Sequence, residues 1–117
     1  MIEFQYFDGC PNSKESLKNL SDLQKEIGIL DSQIKISEIP DLESAQKLNF
    51  QGSPSILIDG IDIYTGNKPN SFNYSCRIYT FDGKKTGVLP KDFIRKKINE
   101  LSQNLVKKET KTPPARR

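Results

Sequence analysis

Apolar and polar residues alternate at the start of the chain. Ile2, Phe4 and Tyr6 stand against Glu3 and Gln5 and predict a strand over 2–7. Asp8-Gly9 closes it, and Pro11 follows at a position where a helix can begin, because the N–H that proline lacks has no partner in a first turn. Leu17, Leu20, Leu23, Ile27 and Leu30 then recur at spacings of three and four and predict one buried helical face. Gly28 puts the end of that helix between 28 and 31.

Alternation returns in IKISEI, 34–39, which predicts a second strand. Pro40-Asp41 opens a second helix with Leu42, Ala45 and Leu48 on one face, and Phe50 and Gly52-Ser53-Pro54 come after it. SILID, 55–59, is a short apolar strand of the kind buried centrally, and Asp59-Gly60 turns it into the partner strand IDIY. Residues 65–75 are turn-rich and predict a loop; CRIYTF, 76–81, predicts one more strand, and DGKKTG a turn. Pro90 begins a third helix whose inner face carries Ile94, Ile98, Leu101 and Leu105. Residues 107–117 have no apolar pattern and are expected to be a disordered basic tail.

The predicted order is β-α-β-α-β-β, an extra strand, and a final helix. A β-α-β start calls for parallel strands and a right-handed crossover, so the fold class is α/β, with one domain over 1–106. At 117 residues the chain has room for one core. Neither GxGxxG after a strand nor GxxxxGK occurs, so no phosphate-binding loop is expected.

Charge and composition narrow the chemistry. The net +3 divides unevenly: residues 91–117 hold nine Lys/Arg and three Asp/Glu, leaving a mildly acidic body. A solubilising helix face and tail account for this, and no nucleic-acid motif accompanies it. The first residues lack the basic start and long apolar run of a signal peptide, and no stretch approaches membrane-spanning length, so a cytoplasmic protein without a membrane partner is expected. Histidine is absent, which removes Ser-His-Asp and Cys-His catalysis and nearly every zinc site. Two cysteines are too few for a disulfide scaffold and point to free thiols, a redox pair or soft-metal ligands.

One of them stands in Gly9-Cys10-Pro11-Asn12-Ser13, between the first strand and the first helix. This turn, Gly-Ser-Pro before the third strand, and the order of elements together resemble the thioredoxin fold, and its glutaredoxin branch most. There the active turn is commonly Cys-Pro-x-Cys, and SPSILIDGIDIYTG, 53–66, is similar in order and spacing to the later family segment. GCPNS, GSPSILIDG and SCRIY also resemble a group of small bacterial thioredoxin-like proteins to some of which the name alkylmercury lyase is attached. The resemblance implies a three-layer α/β sandwich with a central mixed sheet that includes an extra strand, and three main helices. It implies thiol-disulfide chemistry on disulfide-containing proteins or glutathione, with no metal and no bound cofactor beyond glutathione as co-substrate.

Carried over residue by residue, Cys10 is the expected nucleophile. The unpaired N–H groups and positive end of the first helix favour its thiolate; Lys14 would help and Asp8 would oppose. Ser13 replaces the second cysteine of the turn; it is expected either to hydrogen-bond the thiolate or to cap the helix, and it cannot resolve a mixed disulfide. Cys76 is the remaining thiol, either a resolving cysteine brought in by the 65–75 loop or a small buried hydrophobe at a strand start. Pro11 and Ser53-Pro54 are the expected substrate-binding positions. The resemblance implies a cis Ser53–Pro54 bond, where an ordinary trans proline at a strand start is the other reading. Ser53 would offer its N–H and C=O to an extended substrate by strand addition. Two other function classes stay open: soft-metal binding or organomercurial cleavage by the thiols, and a non-enzymatic interaction module.

Overall fold

A computed structural model of the chain describes residues 1–101. Its elements are β1 (Ile2–Tyr6), α1 (Pro11–Ile27), a short 3-10 turn (Asp31–Gln33), β2 (Ile34–Glu38), α2 (Leu42–Leu48), β3 (Ser55–Ile58), β4 (Ile61–Asp62), β5 (Tyr79–Phe81), β6 (Lys84–Thr86) and α3 (Lys91–Leu101). The chain is an α/β protein whose four-stranded sheet runs β2-β1-β3-β4. β1 and β2 are parallel, joined through α1, and β3 runs antiparallel to both β1 and β4. Leu105 and the expected 107–117 tail lie outside the described residues.

Register explains the core. Ile2 is paired with Ile58 and Phe4 with Ile56, so the apolar positions of β1 and β3 share one face. Leu20 and Leu23 of α1, and Ile94 and Ile98 of α3, close over it, with Ile63, Tyr79 and Leu89 completing the cluster. Burying each such side chain stabilises the fold by about 1.5–3 kcal/mol. A smaller cluster of Ile39, Ala45 and Phe50 packs with Phe7 and Tyr74, next to the turn that carries Cys10.

Several expectations are corrected. Leu30 is exposed, because α1 ends at Gly28 and the following turn buries Ile29 instead. In α2 only Ala45 is buried, packed with Ile39 and Phe50 from either side of the helix, and Leu42 and Leu48 are exposed. The predicted 76–81 strand is shorter, beginning at Tyr79, and the predicted turn after it contains β6. Asp82 and Gly83 both have positive φ, as Asp59 and Gly60 do in the first hairpin, the turn geometry that matches antiparallel strand twist. β6 has no signature in the sequence, because Lys84-Lys85-Thr86 has no apolar alternation. The extra strand does not join the central sheet either: β5 and β6 form a separate two-stranded sheet.

Among the described residues, no helix is long and apolar enough to cross a membrane.

Candidate functional site

Cys10 is the N-cap residue of α1, with Pro11 at the first helical position. The backbone N–H of Cys10 donates to the Phe7 carbonyl at 3.4 Å, closing the corner between strand and helix. The residue is 4% exposed, and its thiol donates to the Ser53 carbonyl at 3.6 Å. No acidic side chain stands in the first turn of α1.

Ser13 does not serve the sulfur. Its buried hydroxyl donates to the Cys10 carbonyl at 2.8 Å, one turn back along the helix. It neither caps α1 nor hydrogen-bonds the thiol, which corrects both expectations; a serine within the first turn has that carbonyl in reach.

The Ser53–Pro54 peptide bond is cis. The expectation for Ser53 needs a larger correction, because its backbone is not free to receive a substrate. Its N–H donates to the Ser75 carbonyl and its carbonyl accepts from the Arg77 N–H, both at 2.9 Å, in an isolated parallel bridge to Cys76. The chain's own 75–77 segment therefore fills the strand-addition edge. Cys76 is thus delivered to the residue that Cys10 also contacts, and both cysteines are free thiols. Cys76 is exposed, not a buried strand residue. Even so, partial desolvation of its sulfur, followed by the charge and hydrogen bonding of Cys10, raises the Cys76 thiol above its ordinary value.

What holds the 75–77 segment was missed in the sequence. The Arg77 guanidinium forms two hydrogen bonds to the Asp62 carboxylate and a third, at 2.9 Å, to the Ser55 hydroxyl. It also lies over the Tyr79 ring, 4.8 Å from its centroid. The Tyr79 hydroxyl donates to the Pro54 carbonyl; burial pushes the Tyr79 phenol well above its ordinary value, so it stays a donor. On the other side, Tyr74 donates to the Ile39 carbonyl at 3.0 Å and packs edge-on against Phe7. The alternation of Arg77, Tyr79 and Phe81 was the one available signal that Arg77 faces inward.

A cavity of about 610 Å³ opens beside the Cys10 turn. Phe4 and Tyr6 of β1, Ser13 and Leu17 of α1, and the charged Asp8 and Lys14 line it together with Cys10. Pro11 is on its exposed rim. Among the described residues, no group of three or more His, Cys, Asp or Glu is assembled as a metal site. In comparisons with family models, curated proteins and solved structures, the chain matches none.

Proposed function

We propose that this is a thioredoxin-like thiol-disulfide protein in which Cys10 is the nucleophile and Cys76 the resolving thiol. The observation that carries the reading is the shared neighbour: Ser53 accepts the Cys10 thiol and pairs through its backbone with the segment bearing Cys76. The sheet order β2-β1-β3-β4, with a cis Ser53–Pro54 bond beside the cysteine turn, supports the fold assignment. In the reaction, the Cys10 thiolate attacks one sulfur of a disulfide R–S–S–R′, forming Cys10–S–S–R and releasing R′–S⁻. The Cys76 thiolate then attacks the Cys10 sulfur and releases R–S⁻. The two cysteines give up two electrons, the substrate gains them, and an external dithiol restores the reduced protein. Glutathione as the resolving thiol is the less economical version, since Cys76 is carried on the segment that pairs with Ser53.

The test is to treat the reduced protein with one equivalent of a mild oxidant and map its disulfides by peptide mass spectrometry. A Cys10–Cys76 disulfide is expected. Two free thiols in a folded, oxidant-treated protein would overturn the proposal. Neighbouring thiolates also suit a soft cation, so tight equimolar binding of a thiophilic ion, lost in Cys10→Ser and accompanied by no disulfide, would select the metal reading instead.

A further inference from the structure

The occupied edge at Ser53 bears on which disulfides can reach Cys10. An extended polypeptide adds to a strand edge by pairing with free main-chain N–H and C=O groups. At Ser53 both groups are taken by Ser75 and Arg77. The approach is also close: a Cβ on Gly52 would come within 3.0 Å of the Arg77 Cβ and 3.1 Å of the Ser75 carbonyl oxygen. The occupying segment is anchored by the buried Arg77–Asp62 pair and the Tyr79–Pro54 hydrogen bond. A peptide would have to displace all of these to pair with Ser53.

The cavity offers another way to the same cysteine. Its volume of about 610 Å³ falls in the range of small-molecule sites, commonly about 300–1,000 Å³. Its floor is apolar, with Phe4 and Leu17, and its rim carries one carboxylate, Asp8, and one ammonium, Lys14. One charge of each sign suits a ligand that itself carries both.

Resting on the redox reading above, we infer that the substrates of Cys10 are low-molecular-weight disulfides of amino-acid-derived thiols, admitted through this cavity, and not extended polypeptides. Such a disulfide gives one thiolate when Cys10 attacks and the second when Cys76 closes the internal disulfide. The two electrons come from the cysteine pair, so a single turnover needs no other reductant.

The experiment is a single-turnover comparison with the reduced protein. The probes are glutathione disulfide and the symmetric disulfide of an unstructured ten-residue peptide with no net charge. Loss of the two Ser53 main-chain pairings to the peptide predicts that it reacts about tenfold more slowly or worse. Lys14→Glu, an exposed change, should slow glutathione disulfide by about threefold more than it slows the peptide disulfide, the peptide rate serving as the reference for any change in the Cys10 thiolate itself. A peptide rate equal to or above that of glutathione disulfide overturns the inference while the redox reading stands. No reaction with either probe overturns the redox reading and this inference together. A normal glutathione disulfide rate in both Lys14→Glu and the cavity-filling Leu17→Trp variant, each verified as folded, removes the cavity as the route.

Discussion

Arg77 and Asp62 face each other as a fork on a fork, Nη1 to Oδ1 at 2.9 Å and Nη2 to Oδ2 at 2.7 Å. Their side chains are 10% and 1% exposed. Burial works against the Arg77 charge, but the hydrogen bonds it donates to Asp62 and the neighbouring charges outweigh it and hold the guanidinium above its ordinary value. Removing one partner strands the other, at a cost of about 3–5 kcal/mol for a buried pair. Asp62→Ala is therefore expected to lower the urea midpoint strongly. In the fraction that remains folded, Cys10–Cys76 disulfide formation should slow, because Arg77 positions the segment that carries Cys76. A variant with unchanged midpoint and unchanged disulfide rate would remove Arg77 from that role.

Gly52 lies at φ +113 with the 75–77 segment directly against it. Gly52→Ala adds backbone strain of about 1–3 kcal/mol and a contact with main-chain atoms that cannot swing aside. We expect lower stability by denaturant titration and faster exchange of the Ser53 and Arg77 amides with solvent deuterium. Unchanged protection of both amides would mean that the segment does not depend on this close approach.

Ser13→Ala tests the redirected hydroxyl. It removes one hydrogen bond to a buried carbonyl, and the expected loss of stability is about 1 kcal/mol. The alkylation rate of Cys10 should not change, because the hydroxyl bonds the Cys10 carbonyl and not its sulfur. A severalfold change in that rate, in a folded variant, would restore Ser13 as a partner of the thiolate.

The Cys76 thiol is raised by desolvation first and by Cys10 second. Its alkylation rate should rise with pH to a midpoint above that of a simple thiol, and Cys10→Ser should move the midpoint part of the way back. The sign for stability follows from linkage: the folded state favours the protonated form. The contribution is complete below the unfolded value and is lost as pH rises through the folded one. A midpoint that does not respond to Cys10→Ser would show that the two thiols do not sense each other.

Glu26 of α1 receives Lys91 and, at 2.8 Å, Arg95 of α3. The hydrogen bonds of Lys91 and then Arg95 hold its carboxyl below the ordinary glutamate value. This stabilisation is present above the unfolded value and is lost as pH falls through the lower folded one. Glu26→Gln should therefore narrow the difference between urea midpoints measured at neutral and acid pH, and added salt should narrow it in the parent protein. An identical pH dependence in the variant would rule the bridge out as a contributor.

Local chemistry made much of this protein legible before its structure. Pro11 and Asp41 mark helix starts because a first turn has N–H groups to cap or omit, and Asp41 indeed accepts from the Ser44 N–H at 2.8 Å. Asp59-Gly60 marks a hairpin because its turn needs positive φ. Asp82-Gly83 likewise marks a turn, but the strand beyond it, Lys84-Lys85-Thr86, is polar and carries no apolar alternation. These are properties of a few neighbouring residues, and they determined the order of elements and the place of Cys10 at a helix end.

Tertiary structure alone decided what Cys10 meets. The pairing of Ser53 with Ser75 and Arg77 spans more than twenty positions, and Arg77 reaches Asp62 across fifteen. Neither pairing has a periodicity or a turn signature, since each depends on where the 65–75 loop comes to rest. An arginine beside a cysteine reads as surface in the sequence, yet it is buried once a carboxylate and two aromatic rings surround it. Likewise, Ser53 has the same N–H and C=O as any residue, and only the folded chain determines that its own segment, not a substrate, takes them.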